Sequence, residues 1–203
     1  MKVGVLGGTF DPVHTGHVII AEEARVQLSL DDVLFVPTGQ PWFKEGVDVT
    51  PAQARLEMLH RAVDENPHFC IDTQELERQG LTYTVDTIAE LRRRLGRDAE
   101  IYFIIGLDAL AELPRWKEPE RLISLCCFAA MKRPGYTRLD IESLAKEIPG
   151  IENRVRLVDN VQVDISSSDI RQRVQAGRSI RYLVPEAVEA YIRDSNLYRT
   201  PSS

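Results

Sequence analysis

Residues 2–17 read KVGVLGGTFDPVHTGH, and the order of residue types in this stretch sets the fold. Lys2–Leu6 is a short apolar run that stops at glycines, which predicts a buried strand. Gly7 and Gly8 allow the backbone to approach a ligand closely. The spacing then predicts a helix from Thr15 or Gly16 to about Leu28, whose first N–H groups would face an anion. His14 and His17 stand three residues apart, so on a helix they share a face. Two imidazoles beside a helix N-terminus suit phosphate. A metal half-site is the rival reading, but the glutamate of HExxH is absent and no clear third ligand follows, so no bound metal is expected. The dinucleotide signature GxGxxG and the P-loop GK[ST] are both missing.

Further strands are predicted at Val33–Val36, 68–71, Glu100–Ile105, Cys126–Met131 and Val155–Val158. Helices are predicted after Pro51, over Val85–Leu95 with Gly96 as the stop, after Ser166–Ser168, and after Pro185. Alternation of strand and helix predicts an α/β protein with a doubly wound, Rossmann-like parallel sheet covered by helices on both faces. Ligands of such sheets sit at the carboxyl ends of the strands where the order reverses, which singles out Gly7, Gly8 and Gly106. No repeat or linker interrupts the chain, so residues 1–203 are expected to form one domain. Its helical part from about 165 would pack on the sheet. The run Arg92–Arg93–Arg94 reads as a solvated helix face. The Gly- and Pro-rich 37–50 stretch, with Trp42–Phe43, reads as a lid.

The chain has 203 residues, 43% hydrophobic, with a net charge of -6 and a pI near 5.3. An acidic balance argues against a nucleic-acid partner, because phosphate-backbone affinity needs clustered Lys and Arg. No apolar run reaches membrane-spanning length, and the N-terminus lacks the features of a signal peptide. Cys70, Cys126 and Cys127 are odd in number and two are adjacent, so no disulfide framework is expected. They read as reduced, mostly buried thiols of a cytoplasmic protein.

A second anion-facing helix start is ISSSDIR, 165–171. One serine suffices for an N-cap. Three leave hydroxyls over, and Arg171, one turn in, has the planar fork suited to phosphate.

GGTFDPVHTGH resembles the GxFDPxHxGH signature of the HxGH nucleotidyltransferases, and ISSSDIR resembles their second signature, ISSTxIR. LTYTVDTI (81–88) and GLDALAELPRW (106–116) resemble the SYTxDT and GxD...LxxW segments of the bacterial nicotinate-nucleotide adenylyltransferases. VPTGQPWFK (36–44) resembles that family's loop after its second strand, although PWFK stands where PPHK is usual. KRPG (132–135) and NLYR (196–199) also fit, so the likeness spans Val3–Arg199.

The resemblance implies transfer of AMP from ATP to nicotinate mononucleotide with Mg2+, giving deamido-NAD and pyrophosphate in NAD synthesis. It implies that His14, His17 and Arg171 act on the phosphates, and that Gly7, Gly8, Thr9, Phe10, Ser167 and Ser168 cradle them. Gly106, Asp108 and Arg133 would complete the ATP site, and Lys44, Thr84 and Trp116 would hold the mononucleotide. Partners would be these small molecules, with no nucleic acid or membrane, and a homo-oligomer is compatible with the sequence. Nicotinamide mononucleotide or pantetheine phosphate as acceptor, and a non-catalytic nucleotide-binding module, are the alternatives.

Overall fold

The structure is a computed structural model and describes residues 1–41, 49–132, 139–159, 161 and 163–199. Lys44 and Arg133, with the Trp42–Phe43 pair of the expected lid, lie outside the described residues. The elements run β1 (Lys2–Gly8), α1 (Thr15–Leu28), β2 (Asp32–Pro37), β3 (Gln40–Pro41), α2 (Ala52–Val63), β4 (Phe69–Ile71), α3 (Gln74–Glu77), β5 (Leu81–Thr82) and α4 (Thr84–Leu95). The second half continues with β6 (Glu100–Gly106), α5 (Leu107–Ala111), α6 (Pro119–Leu125), β7 (Cys127–Met131), α7 (Ile141–Glu147), β8 (Val155–Val158), α8 (Ser167–Gln175) and α9 (Glu186–Asp194).

Six strands form one parallel sheet in the order β4-β2-β1-β6-β7-β8. Side chains alternate between its faces, as the period of a strand requires. Leu6, Phe35, Ile104 and Met131 join one core with α1, α2, α8 and α9. Val5, Val36, Phe103, Ile105 and Phe128 join the other with α4, α5, α6 and α7. The predicted doubly wound sheet is therefore present, and Ile170, Val188 and Ile192 pack α8 and α9 onto it.

The order reverses between β1 and β6. Those two strands pair from Lys2↔Glu100 to Val5↔Phe103 and no further. Beyond that point β1 follows β2 to Gly8↔Pro37, and β6 follows β7 to Gly106↔Met131. The sheet thus splits at its carboxyl edge, and the predicted glycines line the split.

Two expectations need correction, and one element is new. Cys70 is exposed and Cys127 half-buried, so only Cys126 is a buried thiol. Cys70 lies on β4, an edge strand of the sheet, whose outer side pairs with no strand among the described residues. The arginine run is no uniform solvated face. Arg92 donates to the carbonyls of Leu125 (2.5 Å) and Ala99, and Arg94 pairs with the buried Asp72, which leaves Arg93 with Glu90 on the surface. The two-stranded parallel ribbon β3–β5 was not foreseen, since two-residue strands carry no periodicity.

Gly39 leads into that ribbon. A Cβ there would come far closer to the Glu75 carbonyl oxygen than van der Waals contact allows, and Thr82 closes the other side at 3.4 Å. Backbone cannot yield as a side-chain tip does. Gly39→Ala is therefore expected to cost about 1–3 kcal/mol, as overpacking does, measured as a lower urea midpoint. An unchanged midpoint would show that α3 moves freely away from Gly39.

Candidate functional site

The split in the sheet is walled by the loop after β1. Phe10 takes a left-handed backbone (φ 51), uncommon for an aromatic residue, yet its side chain is buried. Its ring covers Gly8, where a Cβ would sit 3.2 Å from ring carbons, and meets His17 edge-on at 5.0 Å. Gly8 thus serves close packing beneath Phe10, while Gly7 is exposed at the split, with the Phe103 ring 3.6 Å from where its Cβ would lie.

His14 is the N-cap of α1, in extended conformation, so the two histidines do not share a helical face as the spacing predicts. They meet by a different route. The His14 N–H donates to Nδ1 of His17 (3.1 Å), and the His17 N–H donates to the His14 carbonyl (2.9 Å). The rings stack with centroids 3.6 Å apart. An accepting Nδ1 fixes the neutral His17 ring as the Nε2–H tautomer, a donor suited to a phosphate oxygen. Gly16 leaves room for the His14 ring, which lies over it 3.0 Å from where a Cβ would be. The first turn of α1 is also less open than expected. The Thr15 N–H donates to Leu183 O (2.9 Å) and its hydroxyl to Tyr182 O (3.1 Å). What α1 offers an anion is chiefly its dipole and the histidine pair.

The start of α8 is bolted to the same loop. Ser166 caps the helix by accepting from the Asp169 N–H (3.1 Å). The Ser167 hydroxyl donates to Pro12 O (2.9 Å), and Arg171 donates to Asp11 O (2.6 Å) and Ser168 Oγ (3.3 Å). The Asp11–Pro12 peptide is cis. His14, His17, Ser167, Ser168 and Arg171 are thus brought together, although Ser167 and Arg171 hold the loop as well as face it.

Beneath the loop lies a buried network that sequence reasoning missed. Asp11 is 4% exposed; it accepts from the Tyr198 hydroxyl (2.7 Å) and the Thr50 N–H (3.2 Å). Arg55, 2% exposed, donates to the carbonyls of Thr9 (2.7 Å), Thr38 (2.9 Å) and Thr50 (2.9 Å). Burial pulls its guanidinium below the usual arginine range, and the nearby Asp11 carboxylate opposes that. Burial, and then Asp11, push the Tyr198 phenol well above its usual range, so it stays a donor.

Across the split, Gly106 caps the one-turn α5 and Asp108 stands half-buried in its first turn. Thr84 opens α4. Trp116 is half-buried, with its ring 6.1 Å from Phe103 in a T-shaped contact, which places it one ring away from Gly7. The next residue, Lys117, bonds Asp86 (2.9 Å) and lies 4.4 Å over the Tyr83 ring, so the Trp116 segment is latched to the start of α4.

Glu75 supports this side from below, accepting from the Thr87 hydroxyl (2.6 Å) at 8% exposure. Burial raises its pKa, and the Thr87 and Thr82 hydroxyls oppose the rise. A carboxyl with a raised folded pKa binds more protons folded than unfolded, so its contribution to stability falls as pH rises through the interval between the two values. Glu75→Gln removes that contribution. Urea midpoints measured from about pH 4 upward should show the variant gaining on the parent as pH rises. Parallel curves would contradict the buried, proton-binding carboxyl.

Residues 5–173 match the family model described as cytidylyltransferase-like. A curated protein of Dehalococcoides mccartyi named "Probable nicotinate-nucleotide adenylyltransferase" is 43% identical over 98% of this chain and 97% of its own. A protein of the same name from Thermomicrobium roseum is 45% identical over 98% of this chain and 92% of its own. The fold matches that of Plasmodium falciparum nicotinic acid mononucleotide adenylyltransferase complexed with NaAD. There the TM-score is 0.77 at 21% identity, covering 97% of both chains.

Proposed function

The chain belongs to the nicotinate-nucleotide adenylyltransferases, and we propose that it transfers the AMP moiety of ATP to nicotinate mononucleotide, giving deamido-NAD and pyrophosphate in NAD biosynthesis. Identity of 43–45% over nearly the whole of both chains carries this reading. We read residues 1–203 as one nucleotidyltransferase domain of a cytoplasmic enzyme. Among the described residues no helix is long and apolar enough to cross a membrane.

The chemistry asks little covalent help of the protein. The acceptor phosphate is already an anion near neutral pH. One of its oxygens forms the new bond to the α-phosphorus of ATP, and the bond from that phosphorus to the bridging oxygen breaks as pyrophosphate leaves. Catalysis then consists of holding two anions in line and stabilising charge on the α-phosphate and the leaving group. His14 and His17 are assigned to the α- and β-phosphates and Arg171 to the β- and γ-phosphates. Gly7, Gly8, Thr9, Phe10, Ser167 and Ser168 form the cradle. Asp108 and Gly106 take the ribose hydroxyls of ATP, and Arg133 is assigned to ATP binding. Trp116 stacks on the pyridine ring, the first turn of α4 at Thr84 receives the nicotinate carboxylate, and Lys44 reaches the mononucleotide phosphate.

The described residues contain no group of three or more His, Cys, Asp or Glu that could hold a metal. Mg2+ accompanying ATP would supply positive charge that neutralises its phosphates.

Pyrophosphate release from ATP should be fast with nicotinate mononucleotide and slow with the amide. Comparable rates would remove the carboxylate site at Thr84, and release only with pantetheine phosphate would overturn the acceptor. His17→Ala is expected to lower kcat by about a hundredfold or more with the fold retained by circular dichroism; near-normal turnover would take His17 out of the reaction. Trp116→Ala should raise KM for the mononucleotide far more than KM for ATP. Equal rises would sink the stacking role.

A further inference from the structure

Arg55 has no substrate contact assigned to it and reaches the phosphate cradle only through the Thr9 carbonyl, yet it is among the most buried charges in the described chain. Its three bonds go to main-chain carbonyls from three separate segments. Thr9 belongs to the phosphate loop, Thr38 follows β2, and Thr50 precedes α2. The Thr50 N–H then returns to Asp11, which fixes the same loop from its other end. From Thr38 the connection runs on through described residues. Gly39 abuts the Glu75 carbonyl, and β3 pairs with β5 at Gln40↔Leu81 and Pro41↔Thr82. Two residues after Thr82 the chain reaches Thr84 at the start of α4. One guanidinium therefore joins the loop that meets ATP to the segment that leads to the mononucleotide side.

We propose that Arg55 is a positioning residue that couples the two substrate sites, so that filling either one orders the other. The inference rests on the function proposed above. A planar fork bonded to three carbonyls transmits displacement of one segment to the others, whereas a single ammonium has neither the fork nor its fixed directions. Coupling of this kind is reciprocal, since each ligand must improve binding of the other by the same factor.

The test uses the full chain, α,β-methylene ATP and nicotinate mononucleotide, with calorimetric Kd values for each ligand alone and with the other saturating. The parent should bind each ligand about fivefold or more tightly when the other is present. In Arg55→Lys that factor should fall towards one. Leu59→Ala, which opens a cavity in the same helix without touching the fork, should keep the factor despite lower stability. A parent factor of one, or an undiminished factor in Arg55→Lys, overturns the proposal. If Arg55→Lys does not fold, hydrogen exchange on the parent decides. The ATP analogue alone should slow exchange at 82–87 and the mononucleotide alone at 9–12, and protection confined to each ligand's own side overturns it. Failure of the mononucleotide to bind the parent at all would instead overturn the acceptor assignment.

Discussion

Everything at the carboxyl edge of the sheet depends on how the Asp11–Pro12 segment is held. A loop that must face two anions cannot also be self-supporting, because its polar groups are turned towards ligand. Here the support comes from behind. Asp11 binds Tyr198 and Thr50 through its carboxylate and Arg171 through its carbonyl, while Pro12 binds Ser167. The loop is thereby tied to the start of α2, to α8 and to the C-terminal segment. Breaking a buried charged network of this sort is costly because each partner left behind is desolvated.

The split between β1 and β6 gives that loop its use. Because the two strands part after Val5 and Phe103, the loop after β1 and Gly106 stand on opposite sides of one opening. A doubly wound sheet makes such an opening at one place only, where its winding direction reverses. The histidine pair, the α8 start and the Trp116–Lys117 latch all gather around it. Under the proposed function an acidic protein would bind two anionic substrates there, since helix dipoles and a few placed donors act locally, whatever the net charge.

The fold was legible because β1, β2 and β6 are apolar runs ended by glycine or proline, and helices such as α4 carry a helical period. The two ends of the site were legible because GGTFDPVHTGH and ISSSDIR are compact signatures. The supporting network was not. Arg55 lies in an ordinary-looking amphipathic helix, and nothing in its neighbours announces that its fork turns inward to three carbonyls distant in sequence. Asp11 and Tyr198, 187 residues apart, form a pair only tertiary structure creates. The histidine pair was found for a partly mistaken reason: spacing puts them on one helical face, whereas His14 caps the helix and meets His17 through the cap. Ser167 was expected to keep its hydroxyl for an anion, and its bond to Pro12 is equally invisible to local pattern.

One triphosphate is proposed to lie between the starts of α1 and α8. A crystal structure of the chain with α,β-methylene ATP and Mg2+ tests it most directly. Phosphate oxygens are expected within hydrogen-bonding distance of His14 or His17 and of Arg171, with the adenosine ribose at Asp108. A triphosphate bound elsewhere, or one that leaves both histidines and Arg171 untouched, would contradict it.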